Sequence, residues 1–459
     1  MRLASAHPTA ARRVAGLAAL GGGLALAAFL VDDGPGTDRA SAGIIVPCVS
    51  YPEIPAPDAK PPKPNSRPGK QPVIFVGNNW DGTADIISAR GRKFRKITKL
   101  NIVPDYRERI LEICTNPVDL GYFIAIRELV GEGNDQLVDD MYSTPEGRLL
   151  VVSRPSFRDV VALHIAGPKT GEIKWRFQVD GQRSDHMAVS PDGEQVAVSA
   201  STGNVVHLLN TRTGEEEGRF LSGDSPHENT YSEDGRRIYH ASIGLVYTPG
   251  DDAVFDTDTN KGERYFQVVR TKNQKIISRV DMGDKLEEAG YPDMSSAVRP
   301  MAITSNERKA FLQVSFFHGV VAYDLKREKV VRATELPNLI PNVPREQYLL
   351  DSAHHGIALA GNDRRLCIAG TMSDYATVVG RKQLRPAAIE PRLLKLGTKP
   401  YWSTTSANGK LCYVSWSGTD DISVISYRKR REIKHIGVGD HPQRIRNGFV
   451  RRSFAQANR

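Results

Sequence analysis

The sequence predicts an all-β protein, a seven-bladed β-propeller with the last blade closed by strands from both termini. Three observations carry that prediction. The stretch Ser184–Phe220 reads as one four-stranded antiparallel unit. A short apolar strand meets the turn Pro191-Asp192-Gly193, a second strand spans Gln195–Ala200, a third spans Val205–Asn210, and Thr213–Glu215 turns into a fourth. Asp-Gly and Thr-Gly supply the positive φ of tight hairpins, and the β-branched runs beside them supply the strands.

The unit also recurs. Its first strand and turn return from Asp139 (DDMYSTPEGRLLVVS), Pro226, Arg299, His354 and Lys399, with a truncated copy, HPQRIRNGFV, from His441. Repeats of roughly 40–46 residues are the length of a propeller blade. Longer spacings mark insertions over Pro104–Gln136, Gly244–Thr271, Asp281–Val298 and Thr371–Gly397. Finally, the two ends are complementary. Val73–Val76, Thr83–Ser88 and Lys96–Ile102 read as second, third and fourth strands with no first strand before them, and the copy from His441 supplies one. Sharing a blade in this way leaves no open sheet edge.

Before the propeller, which spans 73–450, lie two other regions. In residues 1–42, Arg2, Arg12 and Arg13 precede an uncharged apolar run from Val14 to Val31, the arrangement of an export signal. Arg12-Arg13 also permits a twin-arginine reading, and an uncleaved run would span a membrane once, so secretion and a single anchor both stay open. Localisation is expected to be extracytoplasmic, with the membrane touched only through this segment. Residues 43–72 are proline-rich, from Pro47 to Pro68, and read as an extended tether. Residues 451–459 read as a basic tail.

Four cysteines are few for an exported chain of 459 residues. Cys367 and Cys412 occupy the same point of two neighbouring repeats, LCIAG and LCYVS, and read as core residues. Cys48, in the tether, and Cys114, in an insertion, allow a disulfide. No metal-type cysteine spacing occurs. The formal charge of +9 admits an anionic partner without requiring one. The chain holds no phosphate-binding glycine loop and no Gly-x-Ser-x-Gly elbow, and nucleic acid is not expected as a partner. Arg428–Arg431 and Arg90–Lys93 fall at outer turns and read as solvated charge.

With a His-Pro opening, a Ser-Pro-Asp-Gly turn, a third strand ending in Asp or Asn, and then Thr-Gly, the repeats resemble YVTN-type propeller repeats, best over Asp185–Phe220 and Lys399–Gly437. The resemblance implies an extracytoplasmic, WD40-like propeller, and a monomer is expected. It implies no particular activity, because function resides in sites rather than folds.

In such a blade the start of the innermost strand and the loop between the second and third strands share one face, around the channel mouth. Seven of the eleven histidines fall in these places: His186, His227, His240, His318, His354, His355 and His441. His227 and His240, on paired strands with Glu228 alongside, form with His355 the expected set for a divalent metal ion. His186, Glu228, Arg299, Tyr401, Trp402, Trp80, Trp416 and Arg154 are the expected ligand-binding residues. Of the pair His354-His355 only one can face the channel, because strand residues alternate in direction, and His355 is favoured. His441, in its His-Pro turn, reads as structural. The expected function is binding of a small-molecule or anionic glycan ligand, or of a protein partner, at this mouth. The alternative is a metal-assisted lyase or hydrolase. The mixture of His, Arg and Tyr loosely resembles propeller-fold polysaccharide lyases, in which a metal neutralises a uronate carboxylate. The tryptophans and Tyr401 would then stack on sugars, and Arg299 or Lys399 would pair with the substrate's charge.

Overall fold

A computed structural model describes residues 48, 59–61, 69–91, 93–244, 262–348 and 352–458. The apolar N-terminal run and most of the tether lie outside these residues. The described chain forms seven four-stranded antiparallel sheets arranged as a propeller. Blades 1 to 6 begin with the strands Met141–Ser143, Ser184–Val189, Pro226–Tyr231, Val298–Ile303, Gly356–Leu359 and Pro400–Thr405. Each of these is innermost, and neighbouring inner strands touch to form the wall of the central channel. Blade 7 pairs the strand Pro442–Arg451 with Lys70–Asn78, followed by Thr83–Ser88 and Lys96–Asn101, so the two ends of the propeller close the ring as the sequence predicts.

Second and third strands are apolar and buried on both faces, as in Leu149–Arg154 and Val205–Asn210. Fourth strands alternate, as in Ile173–Gln178, where one side chain in two meets solvent. The core therefore lies between blades in a ring of apolar clusters and not in the channel.

Two disulfides are present, and they brace different parts of the ring. Cys48 is bonded to Cys114 in helix α1 (Tyr106–Thr115), which ties the tether to the first insertion. Cys367 and Cys412 are more than the core residues the sequence suggests. The second strands of adjacent blades run side by side, so the same repeat position in each brings the two Cα atoms to 6.4 Å and the thiols are joined. Removing this cross-link with Cys367→Ala/Cys412→Ala is expected to cost about 2–4 kcal/mol, read as a lower urea midpoint. An unchanged midpoint would mean that the blades need no staple.

The first insertion continues through α2 (Pro117–Ala125) and a π-helical turn, Ile126–Val130. Asn116 caps α2 by accepting from the Val118 and Asp119 amides. The insertion folds back over blade 1, and Glu132 beyond it reaches Lys399 at the start of blade 6, 2.5 Å away. Helix α3 (Met282–Glu287) packs against blades 3 and 4. Residues after the last strand do not form a free tail: Arg452–Ala457 is a helix, α4, whose Phe454 and Ala455 are buried in the same cluster as α1.

Candidate metal centre in the propeller channel

The site follows from a defect that recurs in the inner strands. In blades 2, 3, 4, 6 and 7 the register between first and second strands slips near the start of the inner strand. A β-bulge of this kind re-aims side chains, and it recurs here at one repeat position. The residues at the slips are Asp185 and His186, His227, Arg299 and Pro300, Tyr401 and Trp402, and Gln443 and Arg444. Blades 1 and 5 supply Asp139 and Asp140, and His355 and Gly356, at the equivalent places. Gly356 is needed where it stands, since a Cβ there would lie 2.8 Å from the Ser403 amide nitrogen of the next blade.

Three imidazoles from three different blades converge in the channel. His186 and His227 have ring centres 3.8 Å apart, and His355 lies 6.0 and 5.8 Å from them. One nitrogen of each lies within 4.8 Å of the others, and all three side chains are buried. Burial first, then the nearby guanidinium groups of Arg444 and Arg299 and the other imidazoles, hold all three pKa values well below the usual histidine value. They are therefore neutral, the form that offers a lone pair to a metal ion. The Nδ1 atoms of His227 and His355 have no hydrogen-bond partner among the described residues. The Nδ1 of His186 sits 2.8 Å from the Glu228 carboxylate, and this carboxylate–imidazole pair fixes the ring.

Charged groups surround the imidazoles. Arg444 donates from Nη2 to His186 Nε2, pairs with Asp139 at 3.5 Å and lies over the Trp402 ring at 3.8 Å. Arg446 holds Asp140 with two hydrogen bonds of 2.8 and 2.7 Å, and Arg183 holds Asp185 at 2.6 Å. With Arg299 and Glu228, four carboxylates face four guanidinium groups. Burial pushes Glu228 up to about 8 and Asp139 up to about 6, while Arg444 opposes both shifts.

The structure rearranges the expected set. His186, expected to bind a ligand, stands with His227 and His355 in the metal-type group. His240 does not belong to it. The bulge at His227 pairs His240 with Asn229 and turns it into the sheet, where it bonds Ser222 Oγ at 2.6 Å and Asn229 Oδ1 at 2.9 Å, against Phe220. Arg154 is not a channel residue either. It is fully buried, bonded to Asp159 by two contacts of 2.8 Å and to Asp105 in front of α1 at 2.5 Å. Trp416 is inside blade 6, donating to Ser423 Oγ at 2.9 Å, and offers no sugar-stacking face. Trp80 is half-buried and stacked on His441 at 3.8 Å, which accounts for that histidine structurally. Arg299, Tyr401, Trp402 and Glu228 do lie at the channel, with Tyr401 stacked on His355 at 4.3 Å. His354 faces away, within reach of Tyr375 and His318.

Arg444, Arg446 and Arg183 are additions that the sequence reasoning missed. Repeat position was the available signal: Arg444 aligns with His186 when Pro442 is matched to Ser184.

Seven buried histidines, the three above with His240, His318, His354 and His441, all have depressed pKa values; His240 and His441 fall to about 3 and His318 to about 4. The unfolded chain takes up these protons near pH 6.5 and the native state does not, so stability is present above that pH and is lost as pH falls. Glu228 and Asp139, raised in the native state, act in the opposite direction over their own ranges. Seven histidines outweigh two carboxylates. Metal-free protein is expected to lose stability from pH 7 to 5 at about 1.4 kcal/mol per pH unit for each net proton. A urea midpoint that is flat or rises across that interval would contradict the assignment.

No family profile and no curated protein matches the sequence. Among solved structures, hydrazine synthase from Kuenenia stuttgartiensis has a similar chain path, with a TM-score of 0.48 and 13% identity, covering 66% of this chain and 88% of that one. At that score the likeness carries no argument about the site.

Proposed function

We propose that this chain is an exported binding propeller that takes up one divalent transition-metal ion in its channel through His186, His227 and His355. One observation carries the reading: three neutral imidazoles from three blades, buried within coordinating reach of one another, two of them with nitrogens that have no partner among the described residues. Isolated polar atoms in a protein interior are costly, and an ion that accepts their lone pairs removes the cost. Three nitrogen donors favour zinc, copper, nickel or cobalt over calcium or magnesium, and they leave a coordination position open for a further ligand. Export is supported by the two disulfides, which persist in oxidising compartments.

Elemental analysis of protein purified from an exported fraction tests the reading. About one equivalent of metal, removed by chelation and restored by zinc or cobalt, is the expected result. Protein that holds no metal and takes none up would refute it.

A further inference from the structure

We propose that the channel binds its metal together with a small oxyanion, such as bicarbonate, acetate or phosphate, held by Arg444. The inference rests on the metal reading above and adds the class of its second ligand. An ion bound by three imidazoles needs a lone pair from His186. The Nδ1 side of that ring is engaged by Glu228, so the ion must take Nε2, the atom to which Arg444 donates. Metal and guanidinium therefore compete for one lone pair. Uptake of the metal removes the hydrogen bond that Arg444 makes to the ring, and its Nε and Nη1 are already without partners among the described residues. Trp402 Nε1, beneath the same guanidinium, is a further buried donor without a partner among the described residues.

Donors grouped in this way require an acceptor. The planar fork of an arginine fits an oxyanion in bidentate fashion, and a carboxylate-like group bridging Arg444 and the metal's open position satisfies both. Charge balance points the same way. The four carboxylates at the channel at most balance the four guanidinium groups, so a divalent ion adds two positive charges that none of them offsets. A bound anion offsets them. Burial of the three imidazoles, Arg444 and Trp402 restricts the anion to a small one.

The test is cobalt(II) binding to metal-free protein in a non-coordinating buffer, with and without bicarbonate, acetate or phosphate, followed by affinity and by the visible cobalt spectrum. Binding coupled through one site is expected to tighten cobalt by about 5–150-fold, to shift the spectrum, and to tighten the anion by the same factor when cobalt is present. The three anions distinguish a carboxylate-type from a phosphate-type ligand. Arg444→Lys, with its fold checked by circular dichroism, should retain cobalt and lose most of the enhancement. Reciprocity in the wild-type protein supports the proposal even where that variant fails to fold. Cobalt bound with equal affinity and an unchanged spectrum in every buffer overturns the proposal and leaves the metal reading intact. Protein that binds neither cobalt nor zinc in any buffer overturns both.

Discussion

Protein carrying His227→Ala is expected to fold normally and to bind zinc or cobalt at least about 100-fold more weakly than wild type, since loss of a direct ligand should exceed the 10–100-fold typical of losing an outer-shell partner. Normal folding is expected because His227 contributes nothing to the apolar clusters between blades, and its Nδ1 makes no hydrogen bond among the described residues. His240→Ala should do the reverse. Its ring bridges Ser222 and Asn229, so removing it leaves buried partners unsatisfied, costing about 1–3 kcal/mol, while metal content stays the same. Titration of both variants, paired with their urea midpoints, separates the two histidines. Equal metal loss in both would return His240 to the site, and no loss in His227→Ala would remove His227 from it.

Replacement of Arg154 by methionine carries the second large effect. Its guanidinium lies between Asp159, which is fully buried, and Asp105, which precedes α1. Arg109 from α1 approaches the same Asp159 at 3.4 Å and donates to the Phe157 carbonyl at 2.9 Å. Without Arg154 the Asp159 carboxylate is left in a low-dielectric interior with a more distant cation, a loss of about 3–5 kcal/mol. The first insertion should also loosen from blade 1, read as faster amide exchange in α1 and α2. Adding Asp159→Asn should recover part of the loss. Metal affinity is expected to stay within about twofold, because Arg154 makes no contact with the three imidazoles. A drop in metal affinity without a drop in stability would restore Arg154 as a ligand residue.

Much of the architecture was legible because each blade repeats the same turn chemistry at a steady interval, so the strand boundaries around Pro191-Asp192-Gly193 transfer to every copy. Closure was legible because the two ends lacked complementary strands. The site was legible only in part. His227 and His355 follow from repeat position, but pairing His227 with His240 assumed a regular ladder, and one bulge moves the partner along by a residue. Arg444 lies three residues beyond His441 and takes the place of His186 only when Pro442, not His441, is matched to the strand start at Ser184. Arg154 and Trp416 were misplaced for another reason. Both lie at the ends of second strands, yet their long side chains are drawn inward by Asp159 and by Ser423, partners that sequence position does not reveal. The Cys367–Cys412 bond required the further step of treating equal repeat positions as spatial neighbours.

The strand Pro442–Arg451 seals the ring and also carries Arg444 and Arg446 into the channel. It is the last strand of the propeller to be synthesised, and it pairs with the first, Lys70–Asn78. A chain still emerging from the ribosome therefore holds His186, His227 and His355 with Arg183 and Arg299 but without Arg444 and Arg446. The three imidazoles are present before the ring closes and two of the guanidinium groups arrive only when the two ends meet, so a chain cut short before Pro442 would be open-edged and would lack Arg444 and Arg446. On the proposed reading, an anion held by Arg444 would report that synthesis had run through the closing strand.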